Sequence, residues 1–349
     1  MKICVNCVLP ETYPGIRFSQ DGMCSYCRKH LELKSDLEEL QNRYRSKFLR
    51  LLGEIDQAEG SGRSGRRAYD AIVAYSGGKD STYTAAVLAR DYHLRVLAVT
   101  FDNGFLSPQA LKNIGRVSEA LRIDSLVFAP DKKTLCRAFK YSVDRDIYPL
   151  KALGRASSVC NTCMNLAKSY ILRTAIEMGV PLIAYGWSPG QAPVQSSVMK
   201  LNSRLIRQTQ SAVARQLADI VGPKIVAYLL QERHFQLLSG DFGRGESRSM
   251  YNVHPLAFLQ YDERKILEEI QALGWQPPAD TDSNSSNCLL NSLGIENHLQ
   301  KFGFHPYAFE LAGLVREGYL SRAEGLARLA ARPDEKIVSE VKRTLAALA

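Results

Sequence analysis

The chain has 349 residues, a formal net charge of +9 and an ordinary share of apolar residues, enough for two domains or for one large α/β domain with attachments. No apolar run approaches the length of a membrane span, and the N-terminus lacks the apolar stretch of a secretory signal, so the expectation is a cytoplasmic enzyme rather than a membrane or exported protein. The basic excess suits a nucleic-acid or phosphate-rich partner; it gathers at Arg43, Arg45, Lys47, Arg50, Arg63, Arg66 and Arg67, and again at Lys200, Arg204, Arg207 and Arg215.

Residues 1–30 carry Cys4-x-x-Cys7 and Cys24-x-x-Cys27 among short turn-like stretches. A segment this short cannot fold on an apolar core alone. Two CxxC knuckles at this spacing predict a zinc-ribbon module in which four thiolates close a tetrahedral structural site, and metal closure would fold it. Residues 31–55 read as one charged amphipathic helix, with Leu31, Leu33, Leu37, Leu40, Tyr44, Phe48 and Leu51 near helical spacing. Gly60-Ser61-Gly62-Arg63-Ser64-Gly65 then reads as a flexible linker.

From Tyr69 short apolar runs at 71–75, 96–100, 126–129 and 182–185 alternate with helical stretches at 81–91, 108–121 and 163–178. That alternation predicts a parallel sheet covered on both faces. Beyond about residue 200 the pattern is mostly helical, over 204–232, 262–273, 290–302, 307–316, 321–331 and 334–347. The expected organisation is a zinc-ribbon module at 1–30, a helix and linker at 31–68, a nucleotide-binding α/β domain at 69–200 and a mostly helical region at 201–349.

Ser76-Gly77-Gly78-Lys79-Asp80-Ser81 follows the first apolar strand directly and opens a helix. The glycines let backbone approach phosphate oxygens, and the helix start offers unpaired N–H groups with a positive dipole end. Ser76 and Ser81 add hydroxyls, and Lys79 adds charge. The GxxxxGK[ST] spacing of the P-loop is absent, so this is a different phosphate cradle. The other cysteines are Cys136, which reads as a buried structural thiol, Cys160-Asn161-Thr162-Cys163 just before a helix, and Cys288 far downstream. Taken alone, the middle CxxC is open between a redox dithiol, a metal half-site and chance. His254 in His-Pro-Leu and His305 in Gly-Phe-His-Pro read as packing residues, and Glu232-Arg233-His234 as a solvated helix face.

With its SGGKDS loop, the chain resembles the PP-loop, or N-type, ATP pyrophosphatases over roughly 70–190. The resemblance implies a Rossmann-like, adenine nucleotide α-hydrolase-like sheet that holds ATP with its pyrophosphate in the loop, accompanied by Mg²⁺. A substrate oxygen attacks the α-phosphate, and a nitrogen or sulfur nucleophile then displaces AMP. Backbone at Thr100, Phe101 and Asp102 would hold adenine, and Gly186 would lie at a later strand end. There the chain reads Gly186-Trp187-Ser188 where several tRNA-modifying relatives have GH followed by an Asp. The double CxxC at the N-terminus, Cys160-x-x-Cys163 and Cys288 together resemble the tRNA 2-thiolation branch. That resemblance implies a [4Fe-4S] cluster on Cys160, Cys163 and Cys288, with one open iron for sulfide transfer. The expected activity is an adenylating sulfurtransferase acting on a tRNA base or a small nucleotide-like molecule, with a sulfur donor as partner and a homodimer as one arrangement. The opening from Cys4 to Pro10 through Phe18, Gly22, Cys24 and Cys27, and the tail at Cys288, Gly303, Arg316, Gly318, Ser321, Arg322 and Glu324, also resemble N-acetyl sugar amidotransferases, which adenylate a sugar carboxylate and take ammonia from a glutaminase partner. A zinc-ribbon nucleic-acid-binding protein with an ATP sensor is the third alternative.

Overall fold

The computed structural model describes residues 1–349 except 33–36, 61–66, 146, 240–248, 283 and 286, together with the side chains of 212–216 and 220. Leu33, most of the Gly-Ser linker and the cations Arg63, Arg66 and (as a side chain) Arg215 therefore lie outside the described residues.

Six strands form one sheet: β1 (Ala71–Ala74), β2 (Val96–Phe101), β3 (Asp124–Phe128), β4 (Leu182–Tyr185), β5 (Val198–Lys200) and β6 (Tyr251–Val253). The order is β3-β2-β1-β4-β6-β5, parallel throughout except for the β5–β6 pair. Apolar residues on both sides of β1 explain its central place. Ala71 and Val73 face a core with Phe48, Leu51 and Ile55 of helix Leu37–Gly60, while Ile72 faces Ile171, Leu172 and Ala175 of helix Ser158–Met178. Burial of both faces is the usual state of a central parallel strand.

Three sequence expectations change. β3 is an edge strand whose Leu126 and Val127 are exposed, because only β2 pairs with it. β5 and β6 were hidden, each being three residues long; β6 arrives from well beyond residue 200 and inserts beside β4. The helix expected over 204–232 ends at Val221, where Gly222 takes φ +87° ahead of Pro223, and resumes as Glu232–Ser239. In that second helix Glu232 and Arg233 are solvated, but His234 is fully buried, with Nε2 3.0 Å from Glu177 Oε1 and Nδ1 accepting from the Gln231 N–H.

The chain runs outward from β1 through β2 to β3, then returns to the opposite side of β1 as β4. The strand order thus reverses between β1 and β4, and their carboxyl ends open on one crevice, the position where open α/β sheets take ligands. No helix among the described residues is long and apolar enough to cross a membrane.

Candidate active site

The phosphate loop leaves β1 into that crevice. Gly77 has φ +75°, and a Cβ there would lie 2.5 Å from the Ala110 carbonyl oxygen. Gly186, at the end of β4, presses on the loop from the other side, where a Cβ would lie 2.5 Å from the Ser81 nitrogen. Trp275 Nε1 donates to the Gly77 carbonyl at 2.9 Å, and the Ser76 and Ser81 hydroxyls meet at 3.1 Å. Lys79 Nζ lies 2.9 and 3.0 Å from the two Asp80 oxygens, 2.9 Å from the Tyr261 hydroxyl and 3.4 Å from Glu263. Burial opposes its charge, but Asp80, Tyr261 and Glu263 outweigh it and hold the ammonium above its usual range. The loop is thus braced from three sides, and its cation is held in place by neighbours.

The cysteines enter the same crevice from two directions. Ser157 caps helix Ser158–Met178 by accepting from the Cys160 N–H, which sets Cys160 and Cys163 on successive turns at the helix start. Cys288 arrives on a short bridge to Leu106, tied by Leu289 N–H to the Phe105 carbonyl. Asn103 Nδ2 donates to both Cys163 Sγ and Cys288 Sγ, each at 3.3 Å. Asn291 Oδ1 accepts from Cys160 Sγ at 3.6 Å and from the Tyr307 hydroxyl at 3.1 Å, while its buried Nδ2 has no partner. Burial pushes Cys160 up to about 12 and raises Cys163 and Cys288 as well. Three half-buried thiols, one amide donating to two of them and an orphaned amide beside the third form a pocket that a cationic iron–sulfur group would satisfy. The three sulfurs are more widely spread than the N-terminal set, which alone among the described residues forms a metal-type group within 4.8 Å.

One cleft of about 330 Å³ is lined by Ser76, Gly78, Lys79, Asp80 and Ser81 and by all three cysteines, Cys160, Cys163 and Cys288. Of the other expected residues, Phe101 and Gly186 line it. Thr100 turns its hydroxyl onto the Tyr75 carbonyl inside the sheet, and Asp102 accepts from the Gly104 N–H to close a turn. Asn103, Lys168, Tyr307 and Glu310 also line the cleft and were missed. Asn103 follows directly on the strand end that drew notice; Lys168 and Glu310 sit in helices whose spacing says only that they fold, and Tyr307 in the turn that opens helix Ala308–Arg316. Lys168 lies over the Trp187 ring, whose plane stacks on His254, and burial lowers its amine to about 8. Burial also holds His254 down, to about 4, so it stacks as a neutral ring.

At the N-terminus Cys4, Cys7, Cys24 and Cys27 are buried with their sulfurs within 4.8 Å of one another. Hydrogen bonds from Cys27 and Cys7 lower the Cys24 thiol, while its bond to Cys24 raises Cys7 to about 12. Four crowded sulfurs competing for protons are a donor set that one tetrahedral zinc ion would satisfy. Arg322 donates to the Cys4 and Cys7 carbonyls at 2.9–3.1 Å and so fastens this group to the C-terminal helices. Cys136 is buried in the core cluster against which Cys160, Cys163 and Cys288 pack, and His305 is buried with Nδ1 accepting from the Tyr307 N–H.

No protein-family model matches the chain. It is similar, at 22% identity over 343 residues, to an uncharacterized protein of Methanocaldococcus jannaschii, covering 98% of this chain and 97% of that one. Among solved structures it is similar to the U34-tRNA thiolase NcsA from Methanococcus maripaludis with its [4Fe-4S] cluster, at 13% identity and a TM-score of 0.36, covering 99% of this chain and 89% of that chain. A likeness of that degree assigns neither chemistry nor substrate here.

Proposed function

We propose that the protein is an ATP-dependent sulfurtransferase: it adenylates a carbonyl oxygen of its acceptor, releasing pyrophosphate, and replaces that oxygen with sulfur as AMP leaves. The observation that carries this reading is the single cleft shared by the phosphate loop and Cys160, Cys163 and Cys288. Activation and displacement must occur at one carbon, so the groups that serve each must reach the same small space.

The loop N–H groups, Ser76, Ser81 and Lys79 would hold the pyrophosphate and stabilise negative charge as it gathers there. Asp80 lines the cleft and offers an oxygen ligand to the Mg²⁺ that accompanies ATP. Cys160, Cys163 and Cys288 would hold a [4Fe-4S] cluster, with Asn103 donating to two of the thiolates and Asn291 turned toward the third. When bound, that group supplies an open iron at which sulfide can be presented. Trp187, stacked on neutral His254 and covered by Lys168, forms an aromatic wall beside Gly186. The acceptor we propose for this cleft is a tRNA base or a small nucleotide-like molecule. The N-terminal cysteines would hold a structural zinc ion.

ATP labelled at the α-phosphate distinguishes this chemistry from ordinary phosphate transfer. With oxygen excluded and sulfide supplied, the expected products are AMP and pyrophosphate, formed together with a thiolated acceptor. ADP and phosphate as the products would sink the proposal. AMP formed with a sugar carboxylate and ammonia, by an iron-free protein, would move the reading to amide formation.

A further inference from the structure

Glu310 is an acidic group in the cleft to which the proposed chemistry has so far given no task. It lies on helix Ala308–Arg316, in a stretch with no motif, yet its carboxyl group lines the same cavity as the phosphate loop and the cysteines. Its place is fixed by backbone. The loop after β4 and this helix meet glycine to glycine: a Cβ on Gly190 would lie 2.2 Å from the Glu310 carbonyl oxygen, and one on Gly313 2.9 Å from the Gly190 Cα. Ser188 Oγ donates to Glu310 Oε1 at 2.8 Å. The groups that face it are Ser188 and Gln191 from the loop after β4, Lys79 and Asp80 from the start of helix Lys79–Ala86, and Tyr307 from its own segment.

A carbonyl oxygen is a poor nucleophile toward an α-phosphate. It becomes a good one when the neighbouring nitrogen gives up its proton, as in the lactam –NH–C(=O)– of an oxo-heterocycle. We infer that the acceptor is such a lactam and that Glu310 accepts its N–H proton as the oxygen attacks the α-phosphate. In that step the O–P bond forms and the bond from α-phosphorus to pyrophosphate breaks. The N–H pair becomes the C=N bond, the C=O pair becomes the new ester oxygen, and the proton ends on the Glu310 carboxylate. No further reactant is needed. Burial, reinforced by Asp80 and moderated by Ser188 and Lys79, raises this carboxyl group to about 7, where a base can both take a proton and return it at neutral pH.

This inference rests on the ATP-cleavage reading, and its test separates the two. The intact protein, purified without oxygen and supplied with both sulfide and ammonia as nucleophiles, is given ATP with one of four probes: uridine monophosphate, its N3-methyl derivative, unfractionated tRNA, or a carboxylate-bearing nucleotide sugar. The expected result is AMP formation with uridine monophosphate or tRNA and none with the N3-methyl probe. Glu310→Gln should lower AMP formation by roughly 10²-fold or more, the span of general-base effects, with ATP affinity held within about three-fold. Ser188→Ala should retain activity but move the acidic limb of the pH–rate profile upward, because the hydrogen bond that lowers the Glu310 pKa is gone; a packing role would leave that limb unmoved. AMP formation by Glu310→Gln within about three-fold of wild type, or equal use of the N3-methyl probe, overturns the inference. AMP formed with the sugar carboxylate alone overturns the lactam and leaves ATP cleavage standing. AMP formed with none of the four overturns both.

Discussion

At the scale of single residues, the site depends on amide groups that no motif advertises. Asn103 donates to two of the three thiols. Groups that orient metal ligands from behind are worth about 10–100-fold in metal affinity. Asn103→Ala should therefore lose iron that much more readily to a chelator, with ATP binding little changed. Asn103→Asp should do no better, because a carboxylate beside two thiolates replaces a donor with a like charge. Measuring residual iron per chain after a timed chelator challenge decides both. Asn103 could have been suspected, since it follows Phe101-Asp102 at the end of β2. Glu310 could not, because its partners Ser188 and Asp80 lie far away in the chain and only the folded molecule brings them together.

At the scale of elements, the first strand, the loop and the following helix were legible because three signals coincide: an apolar run, paired glycines and a helical pattern. The same is true of the two N-terminal knuckles, whose spacing brings four sulfurs together. β5 and β6 were illegible because three residues carry no period. β3 misled because its apolar run resembles a buried strand, while exposure depends on which strands flank it. The loop's bracing yields a paired test on glycine. Gly77 takes φ +75° with the Ala110 carbonyl in the way, so Gly77→Ala should lose about 1–3 kcal/mol of stability and impair ATP binding. Gly53 lies within helix Leu37–Gly60 with nothing near its Cβ position, so Gly53→Ala should gain about 0.5–1 kcal/mol. Thermal melts of the two variants with and without ATP should move in opposite directions; equal losses would contradict the bracing.

For the whole molecule, buried titratable groups set the response to pH. Burial holds His254, His298 and His305 down to about 4, well below an ordinary histidine. These groups refuse protons in the folded state that the unfolded chain accepts below about pH 6.5, so each removes about 1.4 kcal/mol per pH unit as pH falls toward 4. Glu310 acts in the opposite sense. Raised to about 7, it keeps a proton that the unfolded chain releases above about pH 4.5, so its contribution is lost as pH rises between those values. Denaturant melts from pH 7.5 to 5.5 should show stability falling with acid. Glu310→Gln should be more stable than wild type at pH 7.5, by up to about 3 kcal/mol, and should lose stability more steeply on acidification. A variant that gains stability while losing turnover marks a group kept for chemistry; one less stable at pH 7.5 would contradict the raised carboxyl.

The central claim is that phosphate loop and cysteines serve one reaction in one cleft, and the cysteines' share of it is the most exposed to refutation. Protein purified without oxygen should carry about four irons per chain with a broad absorption band near about 400 nm, and Cys160→Ala should lose both while keeping its N-terminal zinc. Colourless wild-type protein that holds zinc alone would contradict the account.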